Sequence, residues 1–438
     1  MEKIVVDGGH RLEGTIRVSG AKNAALPILI GTLLAPGEHR IANVPALADV
    51  SSTLSLLGRI GCPSLVGAGN DVRLDTSRIA FSEAPYDVVR KMRASVLVLG
   101  PLIARNGHAK VSLPGGCAIG VRPIEQHLKG LEALGARFEL SGGYIHAEAG
   151  QLKGAEIHLD VPTVTGTENI MMAACLANGT SVIHNAAREP EVVDLGQFLI
   201  SMGARIEGLG TSHITIHGVP RLSPASRAYA VLPDRIEAGT YLCAAAMTGG
   251  DLTLTDVQPA HLQAVLHKLE QAGCTVESSD SSIRIQGPDR PNAFRLRTEP
   301  HPGFPTDMQA QLMSVAAIAD GTSVVTETIF ENRFMHVPEL IRMGADLSIS
   351  GNTATAVGCE RLTGASVMAS DLRASAALVL AGLSAKGITE VLRIYHLDRG
   401  YERLVEKLRG VGAHIGRVSD AISDTEVMRA ATRPDAKG

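Results

Sequence analysis

The sequence predicts an α/β protein: six copies of one helix–strand–helix–strand–strand unit, grouped three to a domain in two domains. Three observations carry this. A helix-like apolar segment, a glycine and an alternating strand recur around Gly37, Gly107, Gly179, Gly250, Gly321 and Gly387, at intervals of 70, 72, 71, 71 and 66 residues. A short amphipathic helix ending in a glycine, followed by two alternating strands, recurs at Gly61, Gly135, Gly203, Gly273, Gly344 and Gly412, at intervals of 74, 68, 70, 71 and 68. The chain, at 438 residues and 45% hydrophobic, is too long for one ordinary core.

Each element of the unit has its own signal. Leu252-Thr253-Leu254-Thr255 and Ser323-Val324-Val325-Thr326 alternate with the two-residue period of a half-buried strand. The glycine after each amphipathic helix, as in Leu131-Glu132-Ala133-Leu134-Gly135, stands where a helix C-cap needs a left-handed residue. Polar turns such as Ser141-Gly142-Gly143 and residues 278–282 close the strand pairs. One unit cannot bury both faces of its small sheet, so units must pack together, and a solenoid would show polar caps at its ends. Residues 419–438 carry mixed charge without periodicity and are expected to form a disordered tail.

Composition narrows the function. Aromatics are 3%, tryptophan is absent and the formal charge is -4, so base-stacking platforms and a nucleic-acid partner are not expected. The six cysteines (62, 117, 175, 243, 274 and 359) are scattered, with no C-x-x-C and no paired histidine spacing, which argues against a disulfide framework and against a zinc site. The start, Met1-Glu2-Lys3 running into Ile4-Val5-Val6, lacks a signal-peptide core, and the apolar run at 24–35 is too short to span a bilayer. A cytoplasmic protein with no membrane partner, metal or cofactor is expected.

The chemistry-bearing candidates sit in loops and at helix starts. Cys117 lies in Leu113-Pro114-Gly115-Gly116-Cys117, a glycine- and proline-rich loop with Arg122 five residues on. A thiol in a polar loop beside a cation has a stabilised thiolate, although an arbitrary cysteine is more often a small buried hydrophobe. Charged residues recur where the Ala-rich helices begin: Lys22-Asn23, Arg90 to Arg93, and Asp371-Leu372-Arg373, with Arg333 and Arg399 near other helix ends. A single such cation is usually solvated or ion-paired. Recurrence at equivalent places makes a convergent cationic cleft for a phosphorylated substrate more credible. Asp307 opens the apolar helix of the fifth unit, where N-terminal capping is the simpler reading. No phosphate-binding P-loop, H-E-x-x-H, G-x-S-x-G or strand-led G-x-G-x-x-G is present.

Taken together, residues 19–25, 114–123, 305–311, 331–337 and 398–403 resemble the UDP-N-acetylglucosamine 1-carboxyvinyltransferase family of enolpyruvyl transferases, in order from residue 1 to about 418. The resemblance implies two inside-out α/β barrels, spanning 22–231 and 1–21 plus 232–418. It implies transfer of the enolpyruvyl group of phosphoenolpyruvate to the 3-hydroxyl of UDP-N-acetylglucosamine, with loss of phosphate, at the start of peptidoglycan precursor synthesis. In that reading Cys117 donates a proton to the enol carbon, and Asp307 takes the sugar hydroxyl proton. Lys22, Asn23, Arg122 and Arg399 hold phosphoenolpyruvate, Lys22 also counting as catalytic. Arg93, Arg122, Pro123, Ile124, Glu125, Gln126, Val161, Pro162, Thr163, Val164, Asp307 and Ile329 contact the nucleotide sugar, while Arg333, Asp371 and Arg373 form a supporting polar wall. Two departures stand out. Glu125 replaces a common aspartate, and residues 162–169 replace a Ser-Val-Gly-Ala-Thr pattern. The shikimate-pathway relative lacks the Pro-Gly-Gly-Cys loop, and a non-catalytic sugar-binding paralogue would have lost Cys117, Lys22 or Asp307. The expected partners are the two small substrates, acting on a monomer.

Overall fold

The computed structural model describes residues 2–89, 92–113 and 124–419. The chain divides into two compact units, whose described residues are 20–89, 92–113 and 124–232, and 2–19 with 233–419. Each has its own apolar core.

Three helices lie at the heart of each unit. In the first they are α1 (Lys22–Gly31), α2 (Leu99–Asn106) and α3 (Val164–Ala174); in the second, α4 (Arg235–Thr248), α5 (Gln309–Ile318) and α6 (Leu372–Ser384). These helices are apolar nearly all round, as a helix surrounded by protein must be; every residue of α5 is buried. Small residues let them approach closely. A Cβ on Gly100 of α2 would sit 2.5 Å from the Asn169 carbonyl oxygen of α3. The sheets lie outside the helices, and their inner strands bury alternate residues as Thr322–Thr326 and His213–His217 do. Helices inside and sheets outside make each unit an inside-out α/β barrel.

Each sheet has four strands, ordered in the same way among the described residues. In one, Glu156–His158 runs parallel to Thr180–His184, which pairs antiparallel with His213–His217, and Arg205–Glu207 closes the far edge. The first of these four is missing from the sequence reading. The real unit is strand–helix–strand–helix–strand–strand, and the additional edge strand is as short as Glu83–Ala84 or Tyr229–Ala230. Two or three residues are too few to show a period.

The glycines at helix ends and in the hairpin turn behave as expected. All six of the second series have φ between 92° and 104°. Gly142 and Gly143 both take positive φ between Arg137–Ser141 and Tyr144–Glu148, the backbone a two-residue hairpin turn needs. In the first series Gly250 is the exception, and its neighbour Gly249 carries the left-handed turn instead.

The sixth unit has one strand after its second helix, His414–Ser419. Its missing partner is the first strand of the chain, Glu2–Asp7, which lies between Ile388–Leu392 and His414–Ser419. Glu13–Arg17 likewise adds to Asp251–Thr255, and Tyr229–Ala230 to Glu38–Ala42. Ser419 pairs with Glu2, so it belongs to the fold and not to the tail; residues 420–438 lie outside those described. No helix among the described residues is long and apolar enough to cross a membrane.

Candidate active site

In the second unit the chemistry gathers at the starts of the buried helices. Asp307 lies in the 3-10 turn Thr306–Met308 that leads into α5, and its side chain caps nothing. Its two carboxylate oxygens instead accept hydrogen bonds from Arg333 Nη2 at 2.7 Å and Arg373 Nη2 at 2.8 Å. The capping reading therefore gives way to a two-arginine clamp. Burial pushes the Asp307 pKa up, but the charges and hydrogen bonds of Arg373 and Arg333 outweigh it and hold the carboxyl well below its ordinary range. The acid is ionised at neutral pH.

The arginines are fixed from behind. Arg373 is the second residue of α6, whose N-cap Asp371 accepts from the main-chain N–H groups of Arg373 (2.8 Å) and Ala374 (3.0 Å). Asp371, expected as a wall residue, thus orients Arg373 through the helix start. The Arg373 guanidinium lies 5.6 Å from the ring centre of Tyr401, whose hydroxyl is 2.9 Å from Thr240 Oγ1. Nearby His336 is pushed down to about 4 by burial, with Arg333 adding and Asp371 opposing, so it is neutral at pH 7.

Glu327 is a residue the sequence reading missed. Buried at the end of Thr322–Thr326, it accepts from Thr306 Oγ1 (2.8 Å), next to Asp307, and from the N–H of Ile329 (2.8 Å). One carboxylate therefore ties the Asp307 turn to the Ile329 loop. Its only sequence signal is a glutamate closing an otherwise uncharged strand. Arg399 ends the 3-10 helix Ile394–Arg399, and Arg417 grips the preceding Asp398 with both terminal nitrogens.

In the first unit Lys22 opens α1, where the exposed N–H groups disfavour a cation. Asp49 compensates from 3.3 Å, and both side chains are largely buried. Asn23 beside it is exposed. A second group forms where Glu125–Ala133 and α3 begin. Gln126 and Asp160 exchange two hydrogen bonds of 2.9 Å, one to the Asp160 side chain and one from its main-chain N–H. Lys129 adds a third at 2.7 Å, and the two partners hold Asp160 below its ordinary pKa. Asp160 leads directly into exposed Val161 and Pro162 and then Thr163, which caps α3 by accepting from Gly166 N; Val164 follows as its first residue. Ile124 precedes the exposed Glu125 at the start of the other helix. So Gln126 and residues 161–164 are brought together, through an aspartate that no motif marked. Cys117, Arg122 and Pro123, and the side chain of Arg93, lie outside the described residues.

A partly buried carboxylate clamped by two buried arginines at one helix start, and a lysine at another, suit chemistry on anions. The chain matches the family model described as EPSP synthase (3-phosphoshikimate 1-carboxyvinyltransferase) over residues 6–408, and it belongs to that family of enolpyruvyl transferases. Within the family its similarity points to one branch. It is 56% identical over 420 residues to the UDP-N-acetylglucosamine 1-carboxyvinyltransferase of Geobacter metallireducens, covering 96% of this chain and 100% of that one. It is 58% identical over 422 residues to the enzyme of the same name from Anaeromyxobacter dehalogenans, covering 95% and 100%. Among solved structures it resembles the enolpyruvyl transferase NikO from Streptomyces tendae, with TM-score 0.86 and 26% identity over 95% of this chain and 99% of that one. It shares the fold of EPSP synthase from Acinetobacter baumannii at TM-score 0.75 and 19% identity, covering 96% and 100%.

Proposed function

We propose that the protein transfers the enolpyruvyl group of phosphoenolpyruvate to the 3-hydroxyl of UDP-N-acetylglucosamine and releases phosphate. The observation that carries this is identity above half, end to end, to relatives bearing that activity as their name. In a cell the product would feed peptidoglycan synthesis in the cytoplasm.

The reaction must add and then eliminate. The sugar oxygen bonds to C2 of phosphoenolpyruvate while C3 takes a proton; phosphate then leaves as C3 gives a proton up and the double bond returns. In our reading Cys117 supplies the first proton, and Lys22, Asn23, Arg122 and Arg399 hold the phosphate and carboxylate. The residues 93, 122–126, 161–164 and 329 hold the nucleotide sugar. Asp307 accepts the hydroxyl proton. An acid held so far below its usual range is a weak base, so the transfer has to be concerted with bond formation at a C2 that already carries positive charge. Arg333 and Arg373 then position Asp307 and keep it ionised.

The test is phosphate release with each substrate alone and with both together. Turnover that needs both phosphoenolpyruvate and UDP-N-acetylglucosamine supports the reading. Turnover with 3-phosphoshikimate in place of the nucleotide sugar would move the protein to the other branch, and sugar binding without turnover would make it a sensor.

A further inference from the structure

Strand pairing places three histidines in a row on the outer face of one sheet. His158 pairs with His184, and His184 pairs with His213, across three adjacent strands. Paired residues share a face. Their neighbours Ile157, Ile183 and Ile214 pair in the same way and are buried, so a one-residue slip in register would exchange core for imidazole. Glu156, two residues before His158, lies on the histidine side.

The side chains are already gathered. The rings of His158 and His184 stack with centres 4.3 Å apart and planes 5° apart, and His213 meets His184 edge-on at 5.0 Å. The Glu156 carboxylate is hydrogen-bonded to His184 Nε2. One donor atom each from Glu156, His158 and His184 lies within 4.8 Å of the other two. Donors around a tetrahedral zinc ion are about 3.3 Å apart; His184 is half-buried, but Glu156 and His158 are exposed and can close the difference by small rotations.

We propose that Glu156, His158 and His184 form a site for a divalent transition metal of the zinc type, with water in the fourth position. Two imidazoles and one carboxylate are the donor set such ions prefer, and calcium or magnesium would favour oxygen alone. The metal would join the three-residue edge strand Glu156–His158 to the strand Thr180–His184 inside the sheet, and so stabilise that short edge. Sequence spacing could not reveal the site, because register assembles it.

The test uses the full chain without an affinity tag. Zinc chloride is titrated calorimetrically into wild type, into His158→Gln, into His158→Gln/His184→Gln, and into His10→Gln. The last removes a ligand from a second group, Asp7, His10 and His414, and serves as a control for zinc bound elsewhere. Scanning calorimetry without zinc checks that all four fold alike. The expected result is a tight zinc site in wild type and His10→Gln, weakened more than ~100-fold in the double variant. The zinc-induced rise in melting temperature should disappear with it, and His158→Gln should fall between. Unchanged affinity in the double variant, or no binding in wild type at ~100 µM free zinc, would overturn the proposal. If the double variant melts differently without zinc, the exposed His158→Gln variant decides alone.

Discussion

Replacing Asp307 with asparagine tests the clamp directly. The Arg333 and Arg373 side chains are 4% and 5% exposed, and Asp307 is 27% exposed between them. Each guanidinium also has a buried Nη1 with no hydrogen-bond partner among the described residues, and Asp307 is the strongest favourable charge on Arg373, ahead of Tyr401 and Asp234. Asparagine removes the charge and leaves two like cations facing each other. Breaking a buried pair costs roughly 3–5 kcal/mol, and partial exposure of position 307 puts this case near ~3. In a unit of this size ~1 kcal/mol moves the melting temperature by about 2–4 °C, so scanning calorimetry should show a fall of about 6–12 °C. Adding Arg333→Met to Asp307→Asn should then raise the transition again, because it removes an unpaired cation. The pH dependence has a definite sign. A folded pKa below the ordinary 3.8 means that the stabilisation is complete above that value and is lost as pH falls through the lower folded value. The gap between wild type and variant at pH 7 should therefore be the same at pH 5. A double variant that melts below the single one, or a gap that closes between pH 7 and 5, would refute the electrostatic account.

Three further outcomes are expected. Arg399→Ala should weaken phosphoenolpyruvate by about one to two decades, the value of a charge-assisted contact of roughly 1.5–3 kcal/mol, and leave nucleotide-sugar affinity unchanged; equal loss of both in steady-state kinetics would indicate a folding defect. Asp160→Ala should free Gln126 and Lys129 and raise the KM for the nucleotide sugar about tenfold without moving that for phosphoenolpyruvate, a split that disappears if Asp160 is merely structural. Cys117→Asp should keep phosphate release, while Cys117→Ser, too weak an acid, should lose nearly all activity; an active serine variant would remove the proton-donor role.

What could be read from the sequence was what is local. A helix C-cap needs a left-handed residue at one position, so Gly61 and its five equivalents announce the repeat without reference to anything distant. The edge strands could not be read, because Tyr229–Ala230 is a strand only by virtue of Ile41 and Ala42 beside it. The same division runs through the site. That Asp307 opens a helix is local, but whether it caps or is clamped depends on arginines 26 and 66 residues away. Asp49, Asp160 and Glu327 belong to no motif, and each takes its meaning from partners that only folding supplies.

The repeat also explains where the chemistry can be. Six largely buried helices leave little open surface for a functional group, and a charge along them needs a partner, as Glu237 of α4 has in Lys407, because an unpaired one would cost several kcal/mol. The ends of those helices are the nearest positions that can hold one, and the N-terminal ends present unsatisfied N–H groups as well. Lys22 begins α1, Asp307 stands in the turn before α5, and Asp371 and Arg373 open α6. Each is stabilised by a carboxylate or guanidinium from a neighbouring loop, or by the helix N–H groups themselves. A fold that repeats one apolar helix six times thus offers six equivalent helix starts, and different side chains at those starts can give one architecture different chemistry.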